Sequence, residues 1–290
     1  MERELWPLLY RVIGRVASDF SQKYVQHQPW TVVAVTLWAA LHDRPMNWAC
    51  DPKNWPTTSL RPCKIPSAST ISRRGHAVAT GIFRRAVEQA IRDSQEPALI
   101  ALIDGKPLAI PAISGDPDAG YGRGAREKSK GYKLHALTST RPVPEAWEVT
   151  PIQASETKVA EQLAGQLGHT GYLLGDGNYD ANGVFDAAGA KGYALRTPHP
   201  NPNAGAGHHY QSPHRLASIQ VRGTDFSKEL LKQRGDIERQ FGTLTSFACG
   251  LKPLPAWVRR LHRVRTWVWD KLLVNAARIL NNQRKAASLQ

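Results

Sequence analysis

Pro97-Ala-Leu-Ile-Ala-Leu-Ile-Asp-Gly105 is a short, continuous apolar run that ends in a carboxylate and a glycine. A run of this length, bounded by Pro and Gly, predicts a strand buried on both faces with Asp104 at its end. Gly171-Tyr-Leu-Leu-Gly175, followed by Asp176-Gly177, repeats the arrangement. Between them, Tyr132–Thr138 reads as a second strand, and Ala146–Thr150 as a third that pairs with it through the Arg141-Pro-Val-Pro turn. A helix from Glu156 to about Leu167 leads into the Asp176 strand. A further helix covers Asp180–Ala190, with Asp180 as its N-cap, and Gly192–Arg196 is a fifth strand. Strands in succession, then helix and strand in alternation, predict a mixed sheet of the α/β class.

The stretch Lys232-Gln-Arg-Gly-Asp-Ile-Glu-Arg-Gln-Phe-Gly-Thr-Leu244 reads as one helix. Ile237, Phe241 and Leu244, joined by Leu230, form its apolar stripe. Arg234 and Glu238 are i,i+4 neighbours beside that stripe. Gly235 and Gly242 lie two turns apart, which suggests that something packs very close there. Two strand-end aspartates and this glutamate are three carboxylates that could converge. Such a group repels itself unless a cation sits between its members, and hard oxygen ligands suit Mg²⁺ or Mn²⁺.

The chain has 290 residues, with Lys+Arg 38 against Asp+Glu 24, a formal charge of +14. That balance favours a polyanionic partner. No apolar run is long enough to span a bilayer, and the N-terminus lacks a signal-peptide pattern, so nucleic acid is preferred over membrane. Cys50, Cys63 and Cys249 match neither a disulfide framework nor a zinc pattern, which fits a reducing cytoplasm. His199, His208, His209 and His214 also lack the spacing of a zinc site. Asp116, Asp118, Asp180 and Asp186 read as turn or cap residues.

Asp104-Gly-Lys, Lys130-Gly-Tyr-Lys-Leu-His135, Gly175-Asp-Gly-Asn-Tyr-Asp-Ala-Asn182 and Arg234-Gly-Asp-Ile-Glu-Arg-Gln-Phe-Gly242 occur in that order. Together they resemble the DDE transposases of bacterial insertion sequences, in the branch whose third carboxylate sits in a Y-R-E-K signature. The resemblance covers roughly residues 95 to 280. Leu231 and Thr245 stand where the signature tyrosine and lysine would fall; Arg234 and Glu238 are kept. The resemblance implies a ribonuclease H-like mixed β-sheet catalytic domain and Asp104, Asp176 and Glu238 as catalytic metal ligands for two Mg²⁺ or Mn²⁺ ions. Arg234 would orient Glu238 or contact the scissile phosphate. It also implies cleavage of element ends and their joining to target DNA, by a homodimer in a synaptic complex, within a bacterial cytoplasm at the nucleoid. Two alternatives stay open: a nuclease that cuts without joining, and a catalytically silent DNA-binding protein descended from a transposase.

The expected organisation is an all-helical domain over 1–95 that binds DNA, a catalytic domain over 96–282 with a C-terminal helix, and a flexible tail over 283–290. In the first, Leu5, Leu9, Val12, Ile13, Val16 and Phe20 recur at helical spacing, and Pro29 opens a second helix. Residues 43–66 read as a proline-rich loop anchored by Trp48 and Trp55. Ser67 caps a short helix that could be the second of a helix-turn-helix. Its Arg73 and Arg74, with Arg84 and Arg85 of the next helix, are DNA-contact candidates. Arg123, Arg126, Lys130 and Lys133 around the second strand, and Arg239 beside Glu238, are the others. His135 reads either as a group reaching the site or as a satisfied surface histidine. Residues 197–227 read as a loop. Trp257–Leu280 reads as a helix whose other faces carry Arg259, Arg260, Arg263, Arg265 and Lys271, fraying from Asn281.

Overall fold

A computed structural model describes residues 2–20, 22–23, 25–56, 58–124, 127–198 and 210–288. The chain forms two compact units: Met1–Gln95 with Thr243–Gln290, and Glu96–Gly242.

The first unit opens with helices α1 (Glu2–Ala17), α2 (Pro29–Leu41), α3 (Met46–Ala49), α4 (Ala68–Arg74) and α5 (Val78–Asp93). In α1 the stripe Leu5, Leu9, Ile13 and Val16 is buried. Pro29 opens α2, where its missing N–H costs nothing. The helix is buried on nearly every side because it packs on α1 and α5. The proline-rich segment is not bare loop: it holds α3 and short 3-10 turns. Its tryptophans anchor it, with Trp55 stacked on Trp38 at 5.1 Å and Trp6 4.8 Å from Trp38. Ser67 caps α4, its hydroxyl accepting from the Thr70 N–H at 3.3 Å.

The second unit is built on a six-stranded mixed sheet: β1 (Ile100–Ile110), β2 (Gly120–Arg123), β3 (Lys128–Thr138), β4 (Ala146–Pro151), β5 (Gly171–Leu174) and β6 (Tyr193–Arg196). The main order is β2-β3-β1-β5-β6, with β4 on β3. β1 pairs antiparallel with β3 and parallel with β5, and β5 pairs parallel with β6. This is the expected ribonuclease H-like arrangement. Two details differ from the sequence reading. β1 does not stop at Asp104 but runs on to Ile110, because β3 continues to pair with it as far as Lys130. The Gly/Asp-rich segment ahead of Gly124 contributes β2, paired to the start of β3.

Helices α6 (Glu156–Ala164) and α7 (Asn182–Gly189) cover one face. Val159, Leu163, Val184 and Phe185 pack there with Ala101, Ile103, Leu173 and Leu195. Each such fully buried side chain contributes roughly 1.5–3 kcal/mol. Asp180 does not cap α7. Its carboxylate ion-pairs with Arg215 at 2.8 Å and Arg222 at 3.8 Å. Those arginines belong to a region that the sequence presents as loop, which instead forms α8 (Pro213–Val221) and α9 (Asp225–Lys232). Ser212 caps α8 and Pro213 occupies its first turn. The 232–244 stretch is not one helix either. A 3-10 turn at Gln233–Gly235 separates α9 from α10 (Asp236–Thr245).

The last helix, α11 (Leu261–Ala287), starts later than its apolar pattern implies, because Arg260 stands at φ 74°, outside helical space. It also continues past Asn281, so the expected tail is helical as far as Ala287. It packs on α1 and α2 and falls in the first unit rather than with the sheet. Lys271 is not a surface charge: it is fully buried and donates to the carbonyls of Ala40 and Cys249 at 2.6 and 3.0 Å and to Asp43. Its neighbour Asp270 is buried as well and accepts from the Thr36 hydroxyl at 3.0 Å. No helix among the described residues is long and apolar enough to cross a membrane.

Asp180→Ala leaves two arginines of α8 and its C-cap without their carboxylate, and should cost about 3 kcal/mol in urea denaturation. Burial pushes the Asp270 carboxyl up to about 7, against the pull of Arg84, Thr36 and Lys271. A raised carboxyl contributes stability that is complete below its unfolded pKa near 4 and is lost as pH rises through 7. From pH 4 to 8, therefore, Asp270→Asn should gain stability relative to wild type. Parallel pH–stability profiles of the two proteins would contradict this.

Candidate active site

β1 and β5 run side by side only from Ile100–Leu102 against Tyr172–Leu174. Asp104 lies two residues past the last paired position on β1, and Asp176 two residues past the last paired position of its neighbour, just beyond the end of β5. β5 parts from β1 there but keeps to β6: the Gly175 N–H continues that ladder onto the Arg196 carbonyl at 3.1 Å. A Cβ on Gly175 would stand 3.0 Å from both Ile103 and Tyr179, so any side chain there would have to push them back by a few tenths of an ångström. Asp176 then accepts from the Asn178 N–H at 2.9 Å, capping a 3-10 turn at Gly177–Tyr179. Asp104 is half-buried and accepts from the Gly105 N–H at 2.7 Å. Burial raises its carboxyl above the usual range, and the negative charges of Asp176 and Glu156 add to this. The Gly105 N–H and the Arg234 guanidinium pull it back.

β3 forms the neighbouring wall. His135 pairs with Gly105, and Lys133 with Pro107. A Cβ on Gly105 would lie 2.9 Å from Lys133 Cδ and 3.6 Å from His135 Nδ1, so the glycine makes room for the lysine stem. Lys133 is 6% exposed, and its ammonium is ion-paired with Glu156 in the first turn of α6. His135 is buried with Nε2 3.0 Å from the Thr150 hydroxyl. Burial pushes its pKa down to about 4, although Glu156 draws it upward, so it is neutral at pH 7. The histidine is satisfied, as one reading has it, but buried rather than at the surface.

Tyr179 is 1% exposed, yet its hydroxyl has no hydrogen-bond partner among the described residues. Burial raises its pKa, and Asp104, Glu156 and Asp176 all push in the same direction. The phenol therefore stands within electrostatic reach of three carboxylates. Nothing in the sequence alone marks Tyr179 or Glu156 as a site residue. Glu156 looks like an ordinary first-turn acid, and Tyr179 like a core aromatic beside Asp176.

Arg234 sits exposed on the 3-10 turn before α10 and acts on the charge of Asp104. Glu238 is exposed on α10 and does not join the two aspartates. Among the described residues no three His, Cys, Asp or Glu side chains stand close enough to hold a metal ion. The apolar stripe of this segment is buried as expected. Gly235 and Gly242, however, have no described atom within 4 Å of where a Cβ would stand, so no close approach explains them.

The basic candidates divide sharply. Arg73, Arg85, Arg123 and Arg239 are exposed, Arg239 in an ion pair with Asp236. Others are committed inside their own unit. Arg74 donates to the His27 carbonyl at 3.0 Å. Arg84 donates to the Gly75 carbonyl at 3.1 Å and lies over the Trp269 ring at 5.4 Å. Lys130 donates to the Ser114 carbonyl at 2.7 Å. Arg126, His199, His208 and His209 lie outside the described residues. Asp116 is a turn residue that also accepts from the buried Tyr132 hydroxyl at 2.6 Å.

A ribonuclease H-like sheet with an aspartate on one central strand and a second just past the end of its parallel neighbour is the frame of a transposase catalytic domain. The chain matches the transposase DDE domain family over residues 95–269, more than half its length, and belongs to that family. Comparison with curated proteins returns no match. Membership makes the protein a transposase and implies use of a divalent metal. Asp104 and Asp176 fit such an ion: they are hard oxygen donors, each two residues past the same paired position, and the charge of Asp176 raises the cost of ionising Asp104.

A buried tyrosine normally loses stability as phenylalanine. Because the Tyr179 hydroxyl is unsatisfied, Tyr179→Phe should be neutral or stabilising by up to about 1 kcal/mol in urea denaturation. A loss of that size instead would reveal a partner for the hydroxyl.

Proposed function

We propose that this transposase cuts double-stranded DNA at the terminal inverted repeats of its element and joins the freed 3′-hydroxyl to target DNA. The observation that supports this most is Asp104 on β1 and Asp176 just past the end of the adjacent parallel strand β5, within a DDE family domain. Two divalent ions, Mg²⁺ or Mn²⁺, would activate the attacking oxygen and stabilise the leaving one. Asp104 and Asp176 would hold them, and Glu238 would complete the set from α10 once DNA is bound. Arg234, already acting on Asp104, would brace that carboxylate or meet the scissile phosphate with its bidentate fork. The exposed Arg73, Arg85, Arg123 and Arg239 would contact backbone phosphates, in keeping with the +14 charge. Residues 1–95 would supply the end-binding surface, and two copies would assemble the synaptic complex.

A second reading is a catalytically silent DNA-binding protein. It is favoured by Leu231 and Thr245 at the signature positions and by the position of Glu238 apart from the paired aspartates.

A gel assay on labelled element ends with Mg²⁺ or Mn²⁺ separates the two. Wild type should give cleaved and joined products. Asp104→Ala, Asp176→Ala and Glu238→Ala should each reduce cleavage roughly 1,000-fold or more while still shifting the DNA. Uncut, bound DNA with all four proteins would establish the silent reading; cleavage without joining would establish a nuclease.

A further inference from the structure

The sheet has two faces, and helices α6 and α7 cover one of them. Ala101, Ile103, Leu173 and Leu195 point into that covered face. Leu102, Leu174 and Arg196 are paired across β1, β5 and β6 and therefore point to the other. Asp104 and Lys106 follow on the same side of β1, two and four residues after Leu102. Two helices reach this second face. α9 rests Phe226 on Tyr172, with ring centroids 5.6 Å apart. α10 sets Phe241 against the Lys106 ammonium at 5.7 Å, and its Gln240 donates to the Ser139 carbonyl at 3.1 Å. Two cations thus flank Asp104 here. Lys106 lies two residues beyond it on β1, and Arg196 lies on β6, on the far side of β5. Neither has an ion-pair partner among the described residues; each rests on an aromatic ring instead, the Arg196 guanidinium 6.0 Å from the centre of Tyr172. Arg196 Nη1 donates to the Leu195 carbonyl at 3.1 Å, and its buried Nε has no partner among the described residues. Lys133, by contrast, lies on the covered face and is paired with Glu156.

We propose that Lys106 and Arg196 are two phosphate grips for the DNA strand that is cut, one on each side of Asp104. The inference deepens the reading of this domain as a DNA-cleaving one and rests on it. A cation seated on an aromatic face is fixed in direction, while its N–H groups remain open to an anion. A guanidinium that also has a buried N–H left unbonded calls for an acceptor, and phosphate oxygens fit its fork bidentately. A cation kept as a structural brace is ordinarily matched by a carboxylate, as Lys133 is by Glu156. Strand geometry puts Lys106 roughly 7 Å beyond Asp104 along β1, and the β6 strand roughly 10 Å to its side, two strand spacings away. The line between the two cations crosses the end of β5, which Asp176 follows. A strand held at both points is laid across the aspartates. Such grips act by charge and direction, so they set where the strand lies and carry no sequence preference.

The test uses the full-length protein and labelled element-end duplexes in which single phosphates around the cleavage site are replaced by neutral methylphosphonates. Affinity is read by fluorescence anisotropy without metal, and cleavage with Mn²⁺ in a single turnover. Lys106→Gln and Arg196→Gln should each weaken binding about three- to tenfold and slow cleavage at least about tenfold, with cooperative melts retained. Lys106→Arg and Arg196→Lys keep the charge and should stay within about threefold of wild type. One methylphosphonate position should weaken wild type yet leave Lys106→Gln unaffected, and a different position, on the other side of the cleavage site, should do so for Arg196→Gln. A residue that only braces the fold produces no such position-specific loss of response. If both variants respond to every methylphosphonate as wild type does, neither residue holds a phosphate and the inference fails; a matching position for one alone overturns the two-sided arrangement. The anisotropy pattern decides this even when no protein cleaves. Cleavage by Asp104→Asn at the wild-type rate would instead sink the reading of the aspartates. Should a Gln variant not melt cooperatively, Met takes its place and the same pattern decides.

Discussion

Unequal pairing along β1 is the constraint on which the rest of the site depends. On one side β3 follows it for nine residues, from Leu102 to Ile110. On the other, β5 accompanies it for only three and then leaves. A strand held on one edge and released on the other has backbone and side chains facing open space. Asp104 stands two residues past the last paired position. Asp176 stands where β5 turns away, and Gly175 permits that turn within contact of Ile103 and Tyr179. The two acids are neighbours because two strands of unequal length share a register, not because any local contact attracts them.

The apolar runs, the Asp-Gly pairs and the order of strands and helices are legible in the sequence because each is a local pattern with a short period. The mixed sheet and the position of both aspartates follow from them. What stays hidden depends on partners distant in sequence. Glu156 lies in the first helical turn, where an acid is favoured by the helix dipole anyway, so nothing local marks it as the partner of the buried Lys133. Arginine and lysine likewise carry no local sign of whether they meet solvent or a buried carbonyl. Arg84 and Lys271 lie on helices with good amphipathic patterns, yet one sits over a tryptophan ring and the other is fully enclosed.

The segment after β6 shows a different limit. Its early part is dominated by Pro, Gly, Asn and His, and that composition masks the helical signals that follow. Ser212-Pro213 is a good helix start, and Thr224 caps α9 in the same manner. These helices are tied to the sheet domain by charge as much as by apolar contact, through Arg215 and Arg222 on the buried carboxylate of Asp180. The break at Gln233–Gly235 then presents Arg234 on a 3-10 turn rather than in a regular helix, which separates its direction from that of Glu238.

The grouping of α11 with the first helices has a consequence for how the chain is made. The sheet unit is one contiguous segment, Glu96–Gly242, whereas the helical unit is assembled from both sides of it. On a ribosome, α2 emerges before the sheet unit with apolar side chains on almost every face, and the helix that covers part of it follows the whole of that unit. The sheet unit has all its strands before α11 exists. During that interval the exposed helix is a target for chaperones and a hazard for aggregation. The cover of α2 thus depends on a segment that the ribosome reaches only after the whole sheet unit.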